Sequence, residues 1–312
     1  MTSAVLAAFI CAVMLKTHSL RCVTFNAWAL PVRIPSQEKR RRLKRLPQAL
    51  AELDADIIVL QEMFDVRARR KLLRELCPPY STTADAMGDR RILKLVKIDA
   101  TGGLLVLSRL PITNSRFIPH PAGLGKKPDE RVGRKGAMFV QLETPLGPVT
   151  LFAIHLYAGT KSVDTQVRDA QLAPLLKQLE NEANGSPVLL AGDINTSPTV
   201  RYPEPPGQDN PLAPEYGALV DAGFVDPLPP NPTPASLSAT WVPSRNRYAA
   251  LAYQETKSDE RYDYILVRPG ISHEWNVKHA GTVIDGDDSY LSDHVGVMVE
   301  LELVQRSVLG NP

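Results

Sequence analysis

The sequence predicts an α+β protein in which strand-rich sheets pack in layers with helices on the outside. Three observations carry this. Short, nearly continuous apolar runs recur at residues 56–60, 102–108 and 188–191, the pattern of strands buried on both faces. Segments with helical periodicity are fewer and do not alternate strictly with the strands. Residues 137–143 and 149–157 flank Thr144-Pro145-Leu146-Gly147, a turn composition that reads as a hairpin.

The elements follow in order. Residues 20–25 mix β-branched and aromatic side chains and end at Asn26, a first strand. Ser36 caps a helix on which Leu43, Leu46, Leu50 and Leu53 recur at helical spacing. Pro47, inside that pattern, marks either a kink or the first position of the main helix. The strand at 56–60 delivers Gln61 and Glu62 to its end. Residues 66–76 form a helix that stops before Pro78-Pro79. The strand at 102–108 leads into Arg109-Leu110-Pro111. The second hairpin strand carries His155. Residues 163–184 form a long helix with Leu172, Leu175, Leu176 and Leu179 on one face. The strand at 188–191 runs into Gly192-Asp193-Ile194-Asn195. Residues 197–234 are proline-rich and read as an irregular excursion with a short helix near 216–222. Strands at 262–267 and 295–304 complete the chain.

The 312 residues, 44% hydrophobic and 22% charged, are enough to bury a sizeable core in a single domain. A net charge of +2 is too balanced for the broad electrostatic footprint of many nucleic-acid-binding domains. Cys11, Cys22 and Cys77 form neither a disulfide framework nor a zinc set. Residues 4–15 are almost unbroken apolar sequence, shorter than the ~20 residues that span a bilayer. The run has the length of a signal-peptide core, but no basic residue precedes it and no A-x-A site follows. It reads either as a targeting or membrane-associating segment or as an extension without information. Residues 1–19 are therefore set apart from a domain at 20–306. The expected location is cytoplasmic or at a membrane surface, and secreted if the apolar run is a signal peptide.

Polar residues gather at the ends of apolar strands: Asn26, Glu62, His155, Asp193 with Asn195, Asp263, and Asp293 with His294. Singly, each has a plain explanation, a turn former or a satisfied core residue. Their repetition beside a core does not, because buried charge is costly unless paired or metal-bound. Carboxylates and carboxamides are oxygen ligands suited to Mg²⁺ or Mn²⁺. Histidines beside aspartates suit general-base chemistry with an orienting carboxylate. With no nucleophile elbow or phosphate-binding loop in the sequence, direct attack of water on phosphorus fits best.

The motifs TFNAW (24–28), LQE (60–62), GG-LLVLS-LPI (102–112), IHL (154–156), GD-x-N (192–195), R-x-DYILV (261–267) and LSDH (291–294), in that order, resemble the endonuclease/exonuclease/phosphatase superfamily. The resemblance runs from about residue 20 to 304. It implies a deoxyribonuclease-like four-layer sandwich, two face-to-face mixed β-sheets flanked by α-helices. Within that superfamily the chain looks most like the neutral sphingomyelinases. Ala29-Leu30-Pro31 before the basic helix EKRRRLKRL, Arg134-Lys135-Gly136 at the start of the hairpin, and Thr240-Trp241 carry that likeness. Where those enzymes commonly have Thr-His-Leu-x-Ala, this chain has Ile154-His155-Leu156-Tyr157-Ala158, keeping the histidine. A long aromatic membrane-inserting hairpin, which some bacterial members carry, is not evident.

Carried over residue by residue, the resemblance implies that Glu62 is the principal Mg²⁺ ligand with Asn26 beside it. Asp193 and Asn195 hold the nucleophilic water or a second metal across the scissile phosphate. His294 is the general base, and Asp293 orients it or supports the metal. His155 binds a phosphoryl oxygen with Asp263 as its carboxylate partner, and Lys135 neutralises phosphate charge. The implied substrate is a phosphodiester, sphingomyelin or a related phospholipid, cleaved by a monomer with peripheral membrane contact. Alternatives are a nuclease or DNA-repair phosphodiesterase, a phosphoinositide phosphatase, and a catalytically dead binding module. The basic runs at 39–45 and 67–71 read either as solvated helix faces or as contacts to anionic lipid or nucleic-acid phosphates.

Overall fold

The structure is a computed structural model of the chain, described over residues 16–31, 38–83, 89–92, 96–99, 101–121, 123–125, 127–199, 212–228, 238–252, 258–286 and 290–306. The chain runs β1 (Thr17–Asn26), α1 (Lys39–Glu52), β2 (Ile57–Gln61), α2 (Val66–Leu76), β3 (Ser81–Thr82), β4 (Asp89–Ile92) and β5 (Val96–Asp99). It continues through β6 (Leu105–Ser108), β7 (Ile112–Pro119), α3 (Pro128–Gly133), β8 (Gly136–Thr144), β9 (Gly147–His155) and α4 (Ser162–Ala183). The last elements are β10 (Val188–Asp193), α5 (Pro214–Asp221), α6 (Arg247–Ala252), β11 (Asp263–Arg268), β12 (His273–Val283) and β13 (Gly296–Gln305).

Two mixed sheets form the body, ordered β12-β13-β1-β2-β6-β3 and β11-β10-β9-β8-β7, with β4 and β5 paired as a small ribbon. Alternation along each strand divides its side chains between two faces. Cys22, Ile57, Val59 and Val106 of the first sheet meet Met138, Val140, Leu151, Ala153, Leu189 and Ile265 of the second in the central core. The outer face of the first sheet, with Val23, Phe25, Ile58 and Leu60, packs on Leu46 and Leu50 of α1 and Leu72 and Leu76 of α2. The outer face of the second, with Phe139, Phe152, Ile154 and Leu190, packs on Leu172, Leu175 and Leu179 of α4 and Leu219 of α5. The result is the four-layer sandwich the sequence implied.

Local chemistry explains several boundaries. Asp65 caps α2, accepting from the Arg67 and Ala68 amides. Pro47 lies within α1 rather than opening a new helix, and is buried with Leu46 and Leu50. The first strand begins at Thr17, so residues 17–19 belong to the sheet, where Thr17 registers with Val304. The expected cap at Ser36, the apolar run at 4–15 and much of the proline-rich excursion lie outside the described residues. Among the described residues, no helix is long and apolar enough to cross a membrane.

Register then decides what the strand ends bring together. β1 and β2 run parallel, with Asn26 opposite Gln61. β10 is parallel to β9 and antiparallel to β11, which sets Asp193 between His155 and Asp263. Cross-strand partners share a face, so these three side chains point the same way.

Candidate active site

At the end of β1, Asn26 bridges the two sheets. Its Nδ2 donates to Glu62 Oε1 at 3.3 Å and to Asp193 Oδ2 at 3.1 Å. Its Oδ1 accepts from the Trp28 amide at 3.1 Å. Glu62 follows β2 with φ 56, a left-handed conformation that is uncommon outside glycine. Its carbonyl accepts from Ala29 N at 3.0 Å. Gly103 lets the chain approach here, since a Cβ on it would lie 3.0 Å from the Glu62 Cα. At Gly192, before Asp193, a Cβ would lie 1.9 Å from the Ile154 carbonyl oxygen.

Asp193 and His155 are both buried, with His155 Nε2 3.5 Å from Asp193 Oδ2. Neither ring nitrogen of His155 has a hydrogen-bond partner. Burial, with the Lys135 and His294 charges adding, pushes its pKa well below the usual histidine range. A neutral imidazole with an unmet donor and acceptor is placed to meet a ligand oxygen. Asn195, also left-handed at φ 52, donates from its amide to Asp193 Oδ1 at 2.9 Å and from Nδ2 to the Leu156 carbonyl at 3.1 Å. Lys135 donates to Glu130 Oε1 at 2.7 Å and to the Leu156 carbonyl at 3.3 Å. Burial depresses that ammonium, but Glu130, Glu62 and Asp193 outweigh it and raise the pKa.

The partner of Asp263 differs from the expectation. Asp263 Oδ2 accepts from His294 Nδ1 at 2.7 Å, both residues buried, so its carboxylate orients His294 rather than His155. The cause is tertiary: Trp241 bridges to His294 as well as to Glu260, carrying the His294 segment over the start of β11. Asp293 precedes His294 but shares no hydrogen bond with its imidazole. It accepts from Ser292 Oγ at 3.0 Å and lies in the field of Glu62 and Arg42. Of its two expected roles, support of a metal fits this placement, and orientation of His294 falls to Asp263.

The electrostatics follow from burying acids together. Burial, then Asp263, pushes Asp193 up to about 7. Burial, with Glu62 adding, lifts Asp293 to about 6. Burial likewise raises half-buried Glu62, against the pull of Lys135, His294 and Asn26. For His294, burial alone would depress the imidazole; Asp263, Asp193 and Asp293 overcome it and carry it up to about 10. Such crowding of carboxylates is what a bound cation relieves. Asp263 Oδ1 is buried without a hydrogen-bond partner. Asp193, Asp263 and His294 also offer ligand atoms within 4.8 Å of one another. The imidazole in that group is already committed to Asp263, so the oxygen donors are the ones suited to a hard cation.

Further residues brace the site, and the sequence reading gave them no role in it. Thr240 Oγ1 accepts from the Tyr262 and Asp263 amides at 3.0 and 3.1 Å. Asn246 Nδ2 donates to the Ser292 carbonyl at 3.0 Å, and the Trp241 ring meets His294 edge-on at 5.3 Å. The Thr240-Trp241 pair was visible as a motif; Asn246 carried no signal.

Facing sheets with an acid- and histidine-rich cluster at converging strand ends define a layered α+β protein with an oxygen-rich site suited to a hard cation. Residues 23–294 match the profile of the Endonuclease/Exonuclease/phosphatase family, and the chain belongs to it. It is 32% identical over 198 residues to the inositol phosphosphingolipids phospholipase C of Schizosaccharomyces pombe, covering 59% of this chain and 42% of that protein. It is 31% identical over 180 residues to sphingomyelin phosphodiesterase 5 of Mus musculus, covering 53% of this chain and 34% of that protein. The match thus spans less than half the length of these relatives. Sphingomyelinase C from Streptomyces griseocarneus superposes with a TM-score of 0.66 at 20% identity, covering 91% of this chain and 99% of that one. A Staphylococcus aureus beta toxin variant with bound magnesium ions superposes at 0.63 with 16% identity, over 93% of this chain and 100% of that one.

Proposed function

We propose that this chain is a Mg²⁺-dependent phosphodiesterase that cleaves a phospholipid headgroup ester, sphingomyelin or a related sphingophospholipid, by attack of water. The observation that carries the reading is the meeting of the His294–Asp263 pair with Asp193, Asn26 and Glu62 at one end of both sheets. The sphingolipid leaning comes from the named activities of the yeast and mouse relatives. Use of a divalent metal is supported by the oxygen-rich donor set and by a structural neighbour described with magnesium. Manganese has the same ligand preference.

In this mechanism Asp263 holds His294 Nδ1–H, so Nε2 is the nitrogen that takes a proton from water. Asp193 and Asn195, joined through the Asn195 amide, orient that water, and neutral His155 donates to a phosphoryl oxygen. Lys135, held charged by Glu130, offsets the anion's charge. Glu62, Asn26 and Asp293 would hold the metal. When bound, the metal would polarise the phosphoryl group and stabilise the leaving alkoxide, a poor leaving group comparable to hydroxide from water of pKa ~15.7.

The test is a substrate panel with Mg²⁺ and with chelator: sphingomyelin and inositol phosphosphingolipid in mixed micelles, plasmid DNA and abasic DNA. Chelator-sensitive release of a phosphorylated headgroup supports the lipid reading. Strong DNA cleavage without headgroup release would replace it with the nuclease reading.

A further inference from the structure

The basic run at 39–45 does not form one solvated face. Arg40, Arg41, Lys44 and Arg45 are exposed, whereas Arg42 is 1% exposed. Arg42 shares the inward stripe of α1 with Leu46 and Leu50, at i, i+4 and i+8. A guanidinium in that position is costly unless its donors are met. They are met by main chain. Nη1 donates to the Leu291 carbonyl at 2.7 Å and the Ala27 carbonyl at 3.3 Å, and Nη2 donates to the Trp28 carbonyl at 3.1 Å. The plane lies 4.8 Å from the Trp28 ring and 5.4 Å from the Tyr248 ring.

The two segments it joins are the two arms of the site. Ala27 and Trp28 follow Asn26, and the amides of Ala27 and Ala29 donate to the carbonyls of Gln61 and Glu62 at 2.9 and 3.0 Å. Leu291 opens the segment that carries Ser292, Asp293 and His294. Trp28 is left-handed at φ 46 and is held there by the Arg42 and Asn26 contacts. We propose that Arg42 is a positioning residue, its guanidinium fork fixing the Asn26–Glu62 arm against the Asp293–His294 arm so that the metal side and the base side stay in register. The proposal rests on the phosphodiesterase reading for its kinetic consequence, and on geometry alone for its effect on metal binding.

Lysine keeps the charge but presents a single ammonium, which cannot span carbonyls from two segments as the planar fork does. In Arg42→Lys, kcat on a soluble aryl phosphodiester falls about 10–100-fold with little change in KM. Mg²⁺ affinity by calorimetry weakens by about the same factor, the usual effect of losing a partner behind a metal site. Both values are taken per folded molecule, from the native fraction in a thermal melt. Arg40→Lys, exposed on the same helix, leaves both unchanged. Arg42→Ala supplies a second readout. A cavity of about 160 Å³ opens at this point, with Arg42, Tyr248, Tyr290 and Leu291 among its walls, so added guanidinium ion can reach the vacated position. Partial recovery of kcat with guanidinium, and none with NaCl at equal ionic strength, is expected. Wild-type kcat and Mg²⁺ affinity per folded molecule in Arg42→Lys would overturn the proposal, as would rescue by NaCl alone. If the wild type hydrolyses no phosphodiester, the functional reading fails and the Mg²⁺ isotherms of the two proteins still decide the role of Arg42.

Discussion

Replacing Asp263 with Asn tests the central pairing of the site. The carboxylate lies 2.7 Å from His294 Nδ1, and both groups are buried. Burial pulls the His294 imidazole down, while Asp263 leads the charges that lift it from 6.5 to about 10. That span corresponds to roughly 5 kcal/mol favouring the imidazolium in the metal-free protein, at ~1.36 kcal/mol per pH unit. Asparagine keeps the shape and removes the charge. It can also turn its N–H toward Nδ1, which favours the Nε2–H tautomer and leaves no lone pair to accept a proton from water. The same change in a catalytic triad costs about 10⁴ in kcat, and a loss of about 10³–10⁴ is expected here. The assay is kcat at saturating Mg²⁺ on a soluble phosphodiester, paired with an NMR titration of His294 in chelator-treated protein. The imidazole should titrate near the high value in the wild type and well below it in Asp263→Asn. A variant within tenfold of wild-type kcat, or a wild-type His294 titrating near 6.5 without metal, would refute the reasoning.

Asp193 near 7, Asp293 near 6 and His294 near 10 all lie above their free values. The metal-free fold therefore binds more protons than the unfolded chain. Stability from the two aspartates is present below about 3.8 and lost as pH rises through 6 to 7; that from His294 is present below about 6.5 and lost toward 10. Mg²⁺ should release protons on binding, visible by calorimetry in buffers of different ionisation enthalpy, and should raise Tm more at about pH 8 than at about pH 5.5. Glu62→Gln should raise the Mg²⁺ concentration for half-maximal activity about 10–100-fold without lowering Tm, because it removes a ligand and also a costly buried charge. Thr240→Val strands the amides of Tyr262 and Asp263, at about 1–3 kcal/mol each; Tm and kcat should both fall, and Thr240→Ser should restore them.

Much of this was legible because the chemistry sits where apolar strands end. Runs such as IIVLQ and VLLAGD are buried at every position, so the polar residue that finishes each run is forced to the rim. The helix at 66–76 was legible to its boundaries, its end marked by the prolines beyond. By contrast, β7 and β12 are edge strands without a fully buried side chain, and without an apolar period they give no signal. The partner of Asp263 was not legible either. It depends on the Trp241 bridge that folds the His294 segment over β11, a contact between residues 53 positions apart in the bridge Trp241–His294. Arg42 was misread with its neighbours because a charge run suggests a solvated face. The signal that separates it is its place one turn before Leu46 and two before Leu50.

The charges at the site also say why a divalent cation belongs there. Glu62, Asp193, Asp263 and Asp293 crowd one end of the sheets, and among the described residues the cations facing them are Lys135, Arg42 and protonated His294. His155 is neutral. With Glu130, which pairs with Lys135, counted among them, the acids exceed the cations by two charges, and a phosphodiester would bring another negative charge into the same space. Raised carboxyl pKa values are how the metal-free protein relieves that excess, by holding protons. A protonated His294, though, cannot act as a base. A divalent cation would offset the two excess charges at once, lower the pKa of the neighbouring acids, and weaken the field that keeps His294 protonated. On the proposed mechanism, the arrangement that holds a proton on His294 without metal would free Nε2 once metal is bound, so activity should follow metal occupancy rather than the intrinsic titration of the histidine.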